Sequence, residues 1–325
     1  MSIELQILKS LSDGCFHSGE SLASQLGVSR TTIWKEIQKL QQQLSIEIQS
    51  VKGRGYRLSR PIELLEAENI LSRISLTAKS SLTDVDILQI VDSSNRYLMA
   101  AASQGAPGGQ IVLAEQQTAG RGRLGRTWIS PFGCNIYCSL LWRFDLATSV
   151  LSGLGIVVAV ALAKALSVYA EGLEIKWPND ILYRGQKLAG VLLEMQGEAN
   201  GPAAVVIGLG VNVNMSEMPP QQIDQPWTDM HTASGKLISR NELAAKIIEQ
   251  LVRAVQEFEN KGLAGFVSSW PQWDMLRDQA VEIQMANQAI IGIARGIDEV
   301  GALRVETDGV VKSYMAGEAS LKKRF

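Results

Sequence analysis

The stretch SGESLASQLGVSRTTIWKEIQKLQQQL, residues 18–44, decides the fold of the first part of the chain. Ser18 is a good N-cap for a short helix, Gly27 supplies a tight turn, and Ser29 caps a longer helix. In the longer helix, apolar residues recur at spacings of four, three and four, as Ile33, Ile37, Leu40 and Leu44. That spacing is helical, and two helices joined by a glycine-containing turn predict a helix-turn-helix.

A short strand pair follows and predicts that this motif is a winged helix. Strand-like residues at 46–51 and 56–58 flank a basic tip, Lys52-Gly53-Arg54-Gly55. Polar residues on the longer helix face away from its apolar stripe, where they can reach bases or phosphates in a major groove. The alternative is a protein-binding winged helix with a solvated face, but the basic wing favours DNA. The predicted DNA-binding residues are Arg30, Thr31, Thr32, Lys35, Lys39, Lys52 and Arg54.

Charge is distributed unevenly along the chain. The 325 residues are 46% apolar and 20% charged, with a net charge of −2, which describes an ordinary globular protein without a general attraction to nucleic acid. Residues 1–61, however, carry eight Lys or Arg and five Asp or Glu, which gives +3 there and −5 in the remainder. This asymmetry agrees with an N-terminal DNA-binding unit.

Composition also limits the cellular location and the metal chemistry. The three cysteines are too few for a disulfide framework, and Cys134 and Cys138 lack the spacing of a zinc site, so we expect two buried thiols and no metal site. We find no secretory signal pattern. The apolar run over 150–166 is interrupted by polar residues and predicts a buried helix rather than a membrane span. We therefore predict a cytoplasmic protein.

The remaining sequence predicts two further units. Pro61 marks a linker, after which apolar runs with strand and helix periods alternate to about residue 270. From Ala280, short alternating strands separated by turns such as Asp308-Gly309 predict a small barrel. We predict a mixed α/β (α+β) fold with a winged helix-turn-helix over 1–62, a central mixed-sheet domain over 66–270 and a small β-barrel over 271–325.

The stretch GRGRLGR, residues 120–126, predicts an anion-binding loop in the central domain. Its three glycines allow positive φ angles and a close approach of the backbone to a ligand. Its three arginines supply forked, permanently charged donors that suit carboxylate and phosphate oxygens. A solvated Arg/Gly segment is the alternative, but the run is short and lies between a strand-like segment and Trp128.

Four other clusters in the central segment carry polar chemistry. Asp92-Ser93-Ser94-Asn95 can orient a polar molecule or cap a helix, and both remain open. Gln117, before the loop, offers a donor and an acceptor for a neutral polar ring. The other two clusters are KWPND at 176–180, followed by KLAG at 187–190, and IGLGVN at 207–212. We find no catalytic triad or P-loop, so catalysis would depend on positioning and charge neutralisation.

Taken in order, these motifs resemble the signature set of biotin–protein ligases. With the helix-turn-helix, the chain is similar from end to end to the bacterial enzymes that are both biotin–protein ligase and biotin operon repressor. The resemblance implies a class II synthetase-like central domain and an SH3-like C-terminal barrel. It also implies the activity of a biotin–[acetyl-CoA-carboxylase] ligase, which makes biotinyl-5′-AMP from biotin and Mg²⁺·ATP and transfers biotin to a lysine of the biotin carboxyl carrier protein.

The resemblance further assigns roles to residues and partners. The biotin contacts are Ser93, Ser94, Asn95, Gln117, Gly120, Arg121, Gly122, Arg123, Lys187, Gly208 and Gly210. The ATP and adenylate contacts are Arg126, Trp128, Lys176, Asn179 and Asn212. Arg123 and Lys187 would offset the repulsion between carboxylate and phosphate, and Asp180 would orient or deprotonate the acceptor lysine. The adenylate would act as corepressor by promoting a homodimer that binds operator DNA.

Two alternatives to this function have different chemistry. A ligase of the same superfamily that uses lipoate or octanoate would need a long apolar pocket, whereas the predicted polar cluster suits a ureido ring. A regulator that senses its ligand without catalysis would form no product on a carrier protein.

Overall fold

The computed structural model describes residues 2–197, 201–215, 223–284, 289–316 and 320–323. The first unit contains α1 (Ile3–Leu11), α2 (Gly19–Leu26), α3 (Arg30–Leu44), β1 (Ile48–Val51) and β2 (Gly55–Leu58). The two predicted caps are present: Ser18 Oγ accepts from the Ser21 N–H and Ser29 Oγ from the Thr32 N–H, each at 3.0 Å. The antiparallel pair β1–β2 forms the predicted wing, so the sequence-based winged helix is confirmed.

The central unit is built on a seven-stranded mixed sheet. Its strands are β3 (Asp84–Val91), β4 (Gln110–Gln117), β5 (Ile136–Phe144), β6 (Leu173–Lys176), β7 (Asp180–Tyr183), β8 (Gln186–Gly197) and β9 (Ala203–Val211). Their order is β3-β4-β5-β9-β8-β7-β6, and only the first pair is parallel. The predicted mixed sheet is therefore confirmed.

Helices cover the two faces of this sheet. They are α4 (Ala67–Ser72), α5 (Leu76–Lys79), α6 (Ser94–Ser103), α7 (Leu154–Leu166), α8 (Met230–Ser234), α9 (Arg240–Lys261) and α10 (Ala264–Val267). The run predicted as a buried helix over 150–166 is α7, preceded by a 3-10 turn, and nearly all of its side chains are buried. None of the described helices has both the length and the apolarity needed to cross a membrane.

The alternation of side chains along β5 and β9 separates a core face from a site face. Leu140 and Ile207 belong to the large core that α7 and α9 cover. Ser139 and Gly208, one residue away and paired with each other, point to the opposite face with α6. Because successive side chains in a strand alternate, two glycines two residues apart open the same face.

The C-terminal unit is a five-stranded antiparallel sheet. Its strands are β10 (Ala280–Gln284), β11 (Ala289–Ile297), β12 (Leu303–Thr307), β13 (Val310–Tyr314) and β14 (Ser320–Lys323), in the order β13-β12-β11-β10-β14. The short strands predicted from Ala280 onward are present, and β14 is a strand that was not predicted. Buried residues such as Val281 and Leu303 join the same core cluster as α7 and α9. The predicted domain boundaries and the closure of this sheet into a barrel stay predictions.

A buried ion pair connects the linker after the wing to the central sheet. Arg240 Nη1 lies 2.8 Å from Glu115 Oε2, and the two side chains are 1% and 3% exposed. Glu115 also accepts the Leu65 N–H, while Arg240 donates to the backbone carbonyls of Glu63 and Asn135. Glu115 therefore holds the linker and α9 against the central sheet.

Candidate functional site

A cavity of about 490 Å³ lies on the site face of the sheet. It is lined by residues that follow β3, by the end of β4, by the loop over 120–129, by the β6–β7 turn, and by parts of β8 and β9. Every residue predicted to bind ligand or take part in catalysis lines it, except Gly120. The size is that of an ordinary small-molecule site.

One end of the cavity is a neutral hydrogen-bonding network. Gln117 Oε1 accepts from the Ser94 backbone N–H at 2.9 Å and lies 3.1 Å from Ser94 Oγ. Ser139 Oγ lies 2.7 Å from Ser94 Oγ and 2.6 Å from Asn95 Oδ1. Because an amide oxygen can only accept, the Ser139 proton goes to Asn95. Ser93 caps α6, so the capping interpretation of the 92–95 cluster is confirmed, whereas its role in orienting a polar molecule stays a prediction.

The predicted glycines of β9 provide the space for two of these side chains. A Cβ on Gly208 would lie 2.2 Å from Asn95 Oδ1, and a Cβ on Gly210 would lie 2.5 Å from Trp128 Cε2. The indole of Trp128 therefore packs directly on the strand, below Lys187, whose Nζ is 5.4 Å from the ring centroid. The prediction that this indole stacks on adenine stays a prediction.

The other end of the cavity is cationic. Lys187 Nζ forms an ion pair with Asp180 Oδ1 at 2.8 Å, so two predicted catalytic residues are in direct contact. Arg123 donates to Asn179 Oδ1 at 3.1 Å and to the carbonyl of Ala316, in the C-terminal unit, at 2.7 Å. Burial lowers the pKa of the Arg123 guanidinium from its ordinary value, with Asp180 acting in the opposite direction. A guanidinium nevertheless stays charged at neutral pH.

The glycine–arginine loop is a tight hairpin rather than an open flexible segment. The Trp128 N–H donates to the Gly120 carbonyl at 2.9 Å and the Gly122 N–H to the Arg126 carbonyl at 2.7 Å. The expectation that its glycines adopt positive φ holds only for Gly125, at +73°. A Cβ on Gly120 would lie 2.4 Å from the Trp128 carbonyl oxygen, so that glycine closes the hairpin and does not line the cavity.

The remaining predicted contacts lie on the β6–β7 turn and at the end of β9. Lys176 lines the cavity, and the amide of Asn179 donates to the Val191 carbonyl while its oxygen accepts from Arg123. The Asn212 amide donates to the Thr228 carbonyl at 3.0 Å, which fixes the segment before α8 beside the cavity.

Sequence reasoning missed several residues of this site. Ser139 is a fully buried polar residue between apolar neighbours on its strand, which is a signal the sequence contains. Glu194 contacts both Asn95 and Arg121, and nothing in its sequence position indicated this. Trp227 also lines the cavity.

The winged helix presents most of its predicted DNA-binding residues to solvent. Arg30, Thr31 and Lys35 on α3 are exposed, as are Lys52 and Arg54 on the wing. Thr32 is instead engaged in the helix cap, and Lys39 forms an ion pair with Glu4 of α1 at 2.5 Å. Trp34, which the sequence analysis did not select, is 52% exposed on the same helix.

Comparisons with known proteins agree with this architecture. Residues 4–57 match a helix-turn-helix domain, 87–212 match the biotin/lipoate A/B protein ligase family, and 278–322 match the biotin protein ligase C-terminal domain. The bifunctional ligase/repressor BirA of Salmonella typhimurium is 39% identical over 322 residues, which cover 99% of this chain and 98% of that protein. The chain belongs to the bifunctional biotin ligase/repressor family.

Two further relatives extend this result. The biotin–[acetyl-CoA-carboxylase] ligase of Mycobacterium tuberculosis is 30% identical, over 81% of this chain and 96% of that protein. The biotin protein ligase of Aquifex aeolicus, solved in complex with biotin and ATP, superposes with a TM-score of 0.65 at 28% identity. That alignment covers 75% of this chain and all of the other. The family, the fold class and the ligase class predicted from the sequence are therefore confirmed.

Proposed function

We propose that this chain joins biotin to a lysine of a biotin carboxyl carrier protein in two steps, the first of which consumes ATP. The observation that carries the proposal is the division of one cavity into a neutral hydrogen-bonding end and a cationic end. A ureido ring would bind at the first end, through Ser94, Asn95 and Gln117. The carboxylate of the same molecule, and then the phosphates, would lie toward Arg123 and Lys187.

The chemistry follows from these positions. A biotin carboxylate oxygen attacks the α-phosphorus of ATP, the bond to the β-phosphate oxygen breaks, and pyrophosphate leaves. The neutral amine of the acceptor lysine then attacks the acyl carbon, its proton is released, and AMP leaves. Arg123 and Lys187 would reduce the repulsion between the two anions in the first step. Asp180 would release Lys187 and orient the amine in the second step.

Magnesium would enter with ATP as the counter-ion of its phosphates. We assign no protein ligand to it, and the described residues contain no group of three or more Asp, Glu, His or Cys side chains that could hold a metal ion. The cytoplasmic location predicted from the sequence stays a prediction.

The activity is tested by pyrophosphate exchange into ATP with purified protein and biotin, lipoate or octanoate. We expect exchange with biotin alone; exchange only with an alkyl acid would contradict the proposal. A second measurement, single-turnover transfer of labelled biotin to a carrier-protein domain, tests the alternative of a sensing regulator. An adenylate that forms but never transfers would favour that alternative.

Replacing Arg123 should release the adenylate from the site. Arg123→Ala removes the charge that faces Asp180 and the bonds to Asn179 and Ala316. We expect biotinyl-5′-AMP to dissociate about tenfold faster, the equivalent of losing one hydrogen bond to a charged group. Rapid mixing with unlabelled biotin and ATP measures the rate. Arg253→Ala, on the exposed face of α9, is the control, and an equal rate in both variants would contradict the prediction.

We also propose that the winged helix binds the operator of a biotin operon, and that the adenylate-bound chain does so as a homodimer. The exposed cations on α3 and the wing support this. A ligand that binds the dimer-competent state more tightly would shift the population toward it. Operator binding measured with and without biotin and ATP, beside sedimentation of the same samples, tests both statements. Operator binding that is independent of ligand would contradict the coupling.

Replacing Arg30 should separate the two functions. Arg30→Ala is expected to weaken operator binding about tenfold, the cost of one good base or phosphate contact. Ligation should be unchanged, because Arg30 lies on α3 and lines no part of the cavity. Fluorescence anisotropy with operator DNA measures the first effect and carrier biotinylation the second. Loss of both activities would contradict independent sites.

A further inference from the structure

Glu194 connects Asn95, at the neutral end of the cavity, to Arg121 in the glycine–arginine loop. Both of its carboxylate oxygens accept from Arg121 Nη2 at 2.9 Å, and Oε2 also accepts from Asn95 Nδ2 at 2.9 Å. The contact spans 73 residues of sequence to Arg121 and 99 to Asn95. One side chain therefore contacts two predicted biotin-binding residues on separate elements.

The register of β8 places Glu194 on the site face. Leu192 pairs with Gly208 and Glu194 with Val206, so the Glu194 side chain points to the face that α6 covers. Its side chain is 25% exposed, and that of Arg121 is 37% exposed. An ion pair with this much solvent contact contributes little to overall stability. Its main effect is therefore on the local positions of Asn95 and Arg121.

The orientation of the Asn95 amide depends on this carboxylate. Its oxygen accepts from Ser139, and its nitrogen donates to Glu194 at 2.9 Å and, over a longer distance of 3.4 Å, to the Leu192 carbonyl. The Asn95 amide also packs directly against the backbone of Gly208, where a Cβ atom would clash with it. Because an ionised carboxylate can only accept, Glu194 requires the amide nitrogen to face it. A glutamine at this position could present either end of its own amide, so only the longer bond to the Leu192 carbonyl would still favour this orientation.

Glu194 also makes the net charge different at the two ends of the cavity. Its negative charge neutralises Arg121, whereas Asp180 pairs with Lys187 and also acts on Arg123. Arg126 and Lys176 add further positive charge to the lining of the cavity. The end with the Ser94 and Gln117 network is thereby close to neutral. A neutral polar ring would meet no uncompensated cation there, and an anion would find its attraction at the opposite end.

We propose that Glu194 is a positioning residue for biotin: it fixes the Asn95 amide and anchors Arg121, so that the loop closes over the ring in one orientation. This inference rests on the proposed function. It assigns Glu194 no contact with the reacting atoms. Its loss should therefore change the KM for biotin and the closure of the loop, and leave the KM for ATP and the chemical step nearly unchanged.

The test compares Glu194→Gln with Met195→Gln, the neighbouring position, whose side chain points to the other face of β8 and is 46% exposed. In pyrophosphate exchange, we expect Glu194→Gln to raise the KM for biotin about tenfold, the effect of one charged hydrogen bond, with the KM for ATP and kcat within about twofold. Met195→Gln should resemble the unsubstituted protein. An unchanged KM for biotin, or an equal fall in every parameter, would overturn the proposal.

Trypsin gives a readout that does not need catalysis. Arg121, Arg123 and Arg126 are cleavage sites in the loop, and we expect Glu194→Gln to accelerate cleavage there severalfold in ligand-free protein. Arg121→Met should accelerate cleavage after Arg123 and Arg126 by the same factor, and the double variant should add nothing further. Additive effects, or no acceleration, would overturn the proposal. If the unsubstituted protein shows no biotin-dependent exchange, the proposed function fails, whereas the trypsin result still decides whether Glu194 anchors the loop.

Discussion

Gly208→Ala is expected to lower biotin-dependent adenylate formation about a hundredfold, the cost of misplacing a binding group by about 1 Å. The new Cβ would lie 2.2 Å from Asn95 Oδ1 and 2.8 Å from its Cγ. No real Cβ tolerates such contacts, so Asn95 must move. It cannot move without losing its bonds to Ser139 and Glu194. The substitution therefore disturbs the end of the cavity at which we propose that biotin binds, although it adds only one methyl group.

Two matched variants make this prediction specific. Gly155→Ala, within α7, would place its Cβ 3.8 Å from the nearest atom, which is ordinary contact, and should leave activity unchanged. Gly210→Ala would press on Trp128 instead of Asn95, so it should affect the KM for ATP more than that for biotin. Pyrophosphate exchange measures all three, with circular dichroism to confirm folding. A folded Gly208→Ala variant with a normal KM for biotin would contradict the prediction that Asn95 needs the space above Gly208.

Arg240→Met is expected to cost about 3–5 kcal/mol of unfolding free energy, which is typical of breaking a buried ion pair from one side. The substitution leaves the Glu115 carboxylate 3% exposed without its counter-charge. It also removes the donors to the Glu63 and Asn135 carbonyls. The linker that follows the wing would lose the bond from the Arg240 guanidinium to the Glu63 carbonyl but keep the bond from the Leu65 N–H to Glu115.

Urea unfolding, followed by tryptophan fluorescence and circular dichroism, measures this loss. Adding Glu115→Gln to Arg240→Met should recover part of it, because the buried negative charge is then removed. Arg253→Met provides the surface comparison: its pair with Glu249 is 55% exposed on the arginine side, and we expect a cost below about 1 kcal/mol. A loss of that small size for Arg240→Met would mean that the pair contributes nothing beyond packing.

Much of the fold could be predicted because it depends on short-range patterns. The helices of the winged helix follow from apolar spacing and serine caps, and α9 follows from its apolar stripe. The hairpin over 173–183 was less visible, and β14 was not predicted. The wing strands are equally short, but the basic turn Lys52-Gly53-Arg54-Gly55 between them marks a hairpin.

The candidate site could be predicted as a set of motifs but not as a network. The residues that the motifs assigned to ligand binding or catalysis all line the cavity, with Gly120 as the exception. They did not indicate that Lys187 and Asp180 form an ion pair, or that the Ala316 carbonyl of the C-terminal unit accepts from Arg123. The motifs also did not indicate the hydrogen-bond partners of Asn95. Those partners, Ser139 and Glu194, lie outside the motifs.

The sequence by itself determined which segments become helices and strands, the family of the chain and most of the residues that line its cavity, because these depend on local periodicity and on residue type at fixed spacing. The tertiary structure alone decided which charges neutralise one another. Glu194 neutralises Arg121 across 73 residues, and Arg123 reaches the C-terminal unit across 193. Hydrogen bonds and ion pairs act over about 3 Å, and the distance between two residues along the chain does not determine which of them meet in space.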